Sequence, residues 1–140
     1  MRVAIGNDHG GLNFKEELLA LLKELGHEVE DFGCNTPDSV DYPDYADLVC
    51  RAVLEGDCDR GILICGSGIG MSMAANRRSG IRAALCQEQF GARMSREHNN
   101  ANVLCLGARI IGPSLAIEIV RTWLETEFAG GRHQQRIDKF

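Results

Sequence analysis

Gly61-Ile62-Leu63-Ile64-Cys65-Gly66-Ser67-Gly68-Ile69-Gly70 decides the fold. The first half is continuously apolar, as expected of a strand covered on both faces. The second half is a glycine-rich turn, and 71–76 reads as the helix that follows. Upstream, Val3-Ala4-Ile5-Gly6 is a short strand ended by glycine. Residues 12–25 follow with a helical stripe at Leu18, Leu21, Leu22 and Leu25, stopped by Gly26. The 28–32 stretch alternates like a half-exposed edge strand, and 33–41 is a polar loop. Pro43 suits the first turn of a helix reaching about Leu54. Downstream come a strand over 81–86, a helix over 88–96, a strand over 103–106 and a helix from Pro113 to about Phe128. Gly130-Gly131 breaks that helix and leaves a basic tail over 129–140. Strand and helix alternate five times, which predicts one α/β domain over 1–140 with a five-stranded parallel sheet and helices on both faces.

The composition agrees. The chain has 140 residues, 44% hydrophobic and 25% charged, which excludes a disordered chain. No apolar run approaches a membrane span, so no membrane is expected. The opening residues carry Arg2 and an acid by Asp8, unlike a signal peptide, and a cytoplasmic location is expected. The net charge of −5 argues against nucleic acid. The balance is uneven: residues 1–59 hold 14 acids and 4 Lys/Arg, residues 60–140 hold 6 acids and 11 Lys/Arg. A small anionic ligand handled by the second half fits that distribution. The cysteines at 34, 50, 58, 65, 86 and 105 are scattered, with no C-x-x-C, and read as reduced thiols used as small hydrophobes rather than disulfides or a zinc site.

Ligands of such sheets bind at the carboxyl ends of the strands. Asn7-Asp8-His9-Gly10-Gly11 ends the first strand, Cys65 to Gly70 ends the third, and Gly107-Ala108-Arg109 follows the fifth. His98-Asn99-Asn100, which precedes the fifth strand, is expected to join them. The glycine turn matches no common phosphate loop. A dinucleotide fingerprint needs glycine where Met71 stands, a Walker loop needs a Lys, and a cysteine-phosphatase loop needs Arg at that same position. It reads instead as another kind of anion cradle, with successive N–H groups beside a helix N-terminus. Cys65 is either a buried filler or, from its place beside that terminus, a thiolate base or nucleophile. His98 and His9 are either surface histidines or neutral-pH proton carriers. Arg132 and Arg136, four apart, are either a solvated end or a phosphate fork.

Taken together, Asn-Asp-His-Gly-Gly at 7–11, Asp-Tyr-Pro at 41–43, Cys-Gly-Ser-Gly-Ile-Gly at 65–70, Gly-Ile-Arg-Ala-Ala at 80–84, His-Asn-Asn-Ala-Asn-Val at 98–103 and Gly-Gly-Arg-His-Gln-Gln-Arg at 130–136 resemble type B ribose-5-phosphate isomerases. These belong with galactose-6-phosphate isomerase subunits, and the likeness runs in order through nearly the whole chain. The resemblance implies a Rossmann-like three-layer α/β/α sandwich that interconverts aldose and ketose phosphates without metal or organic cofactor. It implies Cys65 as the base moving a proton between C1 and C2, with Ser67 assisting at the substrate oxygens. Gly66, Gly68, Ile69 and Gly70 would stabilise the enediolate through their amides. His98 would open the sugar ring, and Asp8, counted with the catalytic residues, would contact sugar oxygens together with Tyr42 and Asn99. His9, Arg109, Arg132 and Arg136 would hold phosphate. Some relatives use a Glu beyond the glycine turn as base; positions 71–76 hold no acid, which leaves Cys65. The resemblance also implies a homo-oligomer, dimer or tetramer, with each site shared between subunits and the basic tail contacting the partner. The expected substrate pair is ribose 5-phosphate and ribulose 5-phosphate. A hexose 6-phosphate such as allose or galactose 6-phosphate is the alternative, and a non-catalytic sugar-phosphate sensor a third.

Overall fold

The computed structural model describes residues 1–140. Its strands are β1 (Arg2–Asn7), β2 (Glu28–Asp31), β3 (Arg60–Cys65), β4 (Ala83–Leu85) and β5 (Val103–Gly107). Its helices are α1 (Leu12–Glu24), α2 (Tyr42–Leu54), α3 (Ile69–Ala75), α4 (Gln89–Glu97), α5 (Pro113–Glu125) and α6 (Arg132–Ile137), with a 3-10 turn at His9–Gly11. All strand pairs are parallel, in the order β2-β1-β3-β5-β4. The chain steps one way from β1 to β2 and the other way to β3. The sequence of strands therefore reverses between β1 and β3, where a crevice opens at their carboxyl ends.

Alternation along the central strands sends side chains to two separate cores. Val3, Ile5, Ile62, Ile64, Leu104 and Leu106 pack against Phe14, Leu18 and Leu22 of α1, Ala92 of α4 and Trp123 of α5. Ala4, Leu63, Cys65, Val103 and Cys105 pack against Val49 and Cys50 of α2 and Met71 of α3. Burying one large apolar side chain stabilises by roughly 1.5–3 kcal/mol, so β1, β3 and β5, apolar on both faces, form the rigid frame of the crevice.

Most boundaries shift by a residue or two, and three larger differences from the sequence reading have a visible cause. The fourth strand shrinks from 81–86 to Ala83–Leu85, because the Arg82 N–H donates to Asn102 Oδ1 (2.8 Å) rather than to a strand. Asn76 covers its outer edge, donating from Nδ2 to the Ala83 carbonyl (2.9 Å) and accepting the Ala83 N–H at Oδ1 (2.8 Å). The last long helix stops at Glu125 rather than Phe128, since Thr126 turns extended and its carbonyl accepts from Arg96 Nε (3.3 Å). The tail is no loose end: it folds into α6 and buries Ile137. No helix is long and apolar enough to cross a membrane.

Candidate active site

At the β1–β3 crevice, Asp8, Tyr42, Cys65, Gly66, Ser67, Gly70, Arg109 and Ile110 line an open cleft of about 390 Å³. They come from the ends of β1, β3 and β5 and from the start of α2 and α3. Asp8 ends β1 and caps the 3-10 turn, its Oδ1 accepting the N–H groups of Gly10 (2.8 Å) and Gly11 (3.1 Å). That leaves its second carboxylate oxygen for a ligand. His9 follows, its Nδ1 accepting the Val40 N–H at 3.2 Å. Tyr42 opens α2, 39% exposed, with its ring laid over Gly70. Arg109 comes from the turn after β5; its N–H donates to the Gly66 carbonyl (2.9 Å), and its side chain lies over Gly66.

Cys65 ends β3 and is 5% exposed. Its Sγ accepts the Gly68 N–H at 3.1 Å. Gly68 holds φ +77°, and a side chain there would meet Leu85 Cδ1 at 2.5 Å, so only glycine brings this amide onto the sulfur. The Ile69 N–H donates to Ser67 Oγ at 3.3 Å, which leaves the hydroxyl proton free to donate elsewhere. Two of the four amides expected to form the anion hole are thus committed to Cys65 and Ser67. Those of Gly66 and Gly70 donate to no group of the chain.

The other cysteines separate from Cys65. All six are free. Burial pushes the Cys50 and Cys86 thiols up to about 11, and raises Cys105 and Cys58 as well. Those four are held as thiols, in keeping with their reading as packing residues. No cluster of three or more His, Cys, Asp or Glu side chains is disposed to hold a metal ion.

His98 is not at the crevice, contrary to its expected place among the carboxyl strand ends. It caps the end of α4, its N–H donating to the Met94 carbonyl (2.9 Å), before β5 begins. Strand direction puts that point at the amino edge of the sheet. Asn102 pairs beside Gly61, and Gly107 beside Cys65. Five residues of strand, about 16 Å, separate the two levels. A second cluster forms there. The His98 and His133 rings stack at 4.1 Å and 9°. Desolvation, with His98, Arg132 and Arg136 nearby, holds the His133 imidazole below its ordinary value. Arg132 and Arg136 lie one turn apart on exposed α6, and Asn99 follows His98, also exposed. The buried Arg96 braces this cluster. Its NH1 donates to Asn100 Oδ1 (2.9 Å) and the Ala101 carbonyl (2.6 Å), and its Nε to Thr126. Neither His133 nor Arg96 stood out in the sequence, since both roles depend on tertiary contacts. One chain therefore gathers Asp8, His9, Tyr42, Cys65, Ser67 and Arg109 at one edge. His98, Asn99, Arg132 and Arg136 sit at the other.

A sequence model described as Ribose/Galactose Isomerase matches residues 3–140. Ribose-5-phosphate isomerase B of Escherichia coli (strain K12) is 49% identical over 137 residues, 98% of this chain and 92% of that protein. D-erythrulose-4-phosphate isomerase of Pectobacterium atrosepticum is 41% identical over 140 residues, 99% of this chain and 92% of that one. The solved structure of Clostridium thermocellum ribose-5-phosphate isomerase B superimposes with a TM-score of 0.98 at 56% identity, covering 99% of this chain and 94% of that one.

Proposed function

The chain belongs to the ribose/galactose isomerase family, and we propose that it interconverts ribose 5-phosphate and ribulose 5-phosphate through an enediolate. The observation that carries this reading is the Cys65 sulfur, set beside open amides in a cleft that also holds a hydroxyl, a carboxylate and an arginine. The Cys65 thiolate takes the C2 proton of the open-chain aldose, and the C–H electrons become the C1–C2 double bond. The charge on the former carbonyl oxygen lies toward the Gly66 and Gly70 amides. Ser67 passes the O2 proton to O1, the C2 carbonyl forms, and Cys65 returns its proton to C1. His98 opens the furanose, Asp8, Tyr42 and Asn99 contact sugar oxygens, and His9, Arg109, Arg132 and Arg136 hold phosphate.

Those roles need a second copy of the chain, because His98, Asn99, Arg132 and Arg136 lie too far from Cys65. A two-fold pairing that sets the amino-edge cluster of one chain against the cleft of another completes both sites at once. Exposed Ile69 (47%), Met73 (67%) and Ile110 (54%), at and beside the cleft, support an apolar contact there.

The test is kcat/KM, with and without a chelator, on ribose 5-phosphate, allose 6-phosphate, galactose 6-phosphate and D-erythrulose 4-phosphate. The highest value is expected for ribose 5-phosphate, undiminished by chelator. A higher value for a hexose or tetrose phosphate overturns the substrate, and binding without turnover of any overturns the enzyme.

A further inference from the structure

Resting on that reading, we propose that Lys15 is a positioning residue of the isomerase site: its buried ammonium fixes the 33–41 loop and, through it, the donor that His9 offers to phosphate. Lys15 is 4% exposed on the inner side of α1, between Phe14 and Leu18. A buried ammonium opposes folding unless it is fully paired. Its partners all come from one short segment. Nζ pairs with Asp31 Oδ2 (2.9 Å) and donates to the carbonyls of Gly33 (3.3 Å) and Cys34 (3.1 Å) and to Asn35 Oδ1 (2.7 Å). The ammonium therefore pins the start of the loop that follows β2.

That segment is seated on the catalytic end of β1. The Cys34 N–H donates to the Asn7 carbonyl (3.0 Å), and Asn7 Nδ2 donates to the carbonyls of Cys34 (3.2 Å) and Asp8 (3.0 Å). The approach is so close that a side chain on Gly33 would begin 1.8 Å from Asn7 Oδ1. The far end of the same loop delivers the Val40 N–H to His9 Nδ1 and then starts α2 at Tyr42. With Nδ1 accepting, neutral His9 carries its proton on Nε2, where it donates to a phosphate oxygen. Without the ammonium the loop loses its anchor and His9 its fixed tautomer. The β3–α3 turn, which holds Cys65 and Ser67, makes none of the Lys15 contacts. Phosphate binding is thus coupled to Lys15 and proton transfer is not.

The experiment replaces Lys15→Met, which keeps length and removes charge, and uses ribulose 5-phosphate as substrate. Its phosphorylated O5 prevents furanose closure, so ring opening plays no part. KM and the inhibition constant of inorganic phosphate are expected to rise together about tenfold, with kcat within about threefold. A lower Tm with KM and the phosphate constant unchanged overturns the proposal, as does a fall in kcat alone. Asn35→Ala, at an exposed position, removes one acceptor and covers the case in which Lys15→Met does not fold. A rise of about twofold to fourfold in the phosphate constant is expected, and no rise overturns the proposal. If the unaltered chain isomerises no sugar phosphate, the functional reading fails instead, and phosphate affinity by calorimetry still decides on Lys15.

Discussion

Cys65→Ala and His98→Asn should each be inactive alone and active when mixed. About 16 Å of strand separates the levels of the two residues within one chain. Neither side chain spans that gap, so the proposed site takes Cys65 from one subunit and His98 from the other. Removing a general base or acid costs typically 10²–10⁴ in rate, so each pure variant should fall by that order on ribose 5-phosphate. In a mixed dimer, one site carries both lesions and the other carries neither. With equal amounts and free exchange, half of the dimers are mixed, so about a quarter of all sites recover the unaltered composition. The assay is ribulose 5-phosphate formation after mild denaturation and joint refolding, with mixed dimers counted by native mass spectrometry. Activity near a quarter of the unaltered enzyme is expected. Activity no greater than that of the separate variants, in a sample holding mixed dimers, refutes the shared site.

Three further outcomes follow from the same geometry. Alkylation at pH 8 should reach Cys65 well before Cys50 and Cys86, whose thiols are pushed up to about 11, and a sugar phosphate should protect it; equal labelling of all three contradicts the assignment. Gly68→Ala should lose roughly 1–2 kcal/mol to the left-handed backbone and a further ~1–3 kcal/mol to the clash with Leu85, read by urea unfolding; a loss below about 1 kcal/mol contradicts the strained turn. His133 should titrate by NMR below the ordinary histidine value, because burial and the neighbouring His98 and arginines disfavour its charge. The unfolded chain then takes up this proton first, so stability should fall as pH drops through about 6.5 toward the folded value; a midpoint above that value contradicts it.

Much of this architecture is legible in the residues. Continuous apolar runs at 3–6, 61–65 and 103–106 mark strands buried on both faces, and they became β1, β3 and β5. Alternation at 28–32 marks an edge, and β2 is one. The cleft was legible as well, since β1, β3 and β5 run the same way and their carboxyl ends share an edge. His98 was misplaced because it is close to β5 in sequence. It precedes that strand, and direction alone puts it at the opposite edge. What stayed hidden depends on contacts between distant segments. The fold of α6 rests on burying Ile137 and on the His98–His133 stack. Lys15 precedes the apolar stripe and carries no signal in the sequence; its role shows only where Asp31 to Asn35 pack onto its ammonium.

Proton transfer by Cys65 is tested most directly by isomerisation in deuterated water, followed by NMR at C1 and C2 of the sugar phosphates. The unaltered protein should put solvent deuterium at C1 of ribulose 5-phosphate and at C2 of ribose 5-phosphate. Cys65→Ala should do neither while still binding the phosphate ester. Undiminished exchange by Cys65→Ala would contradict the account.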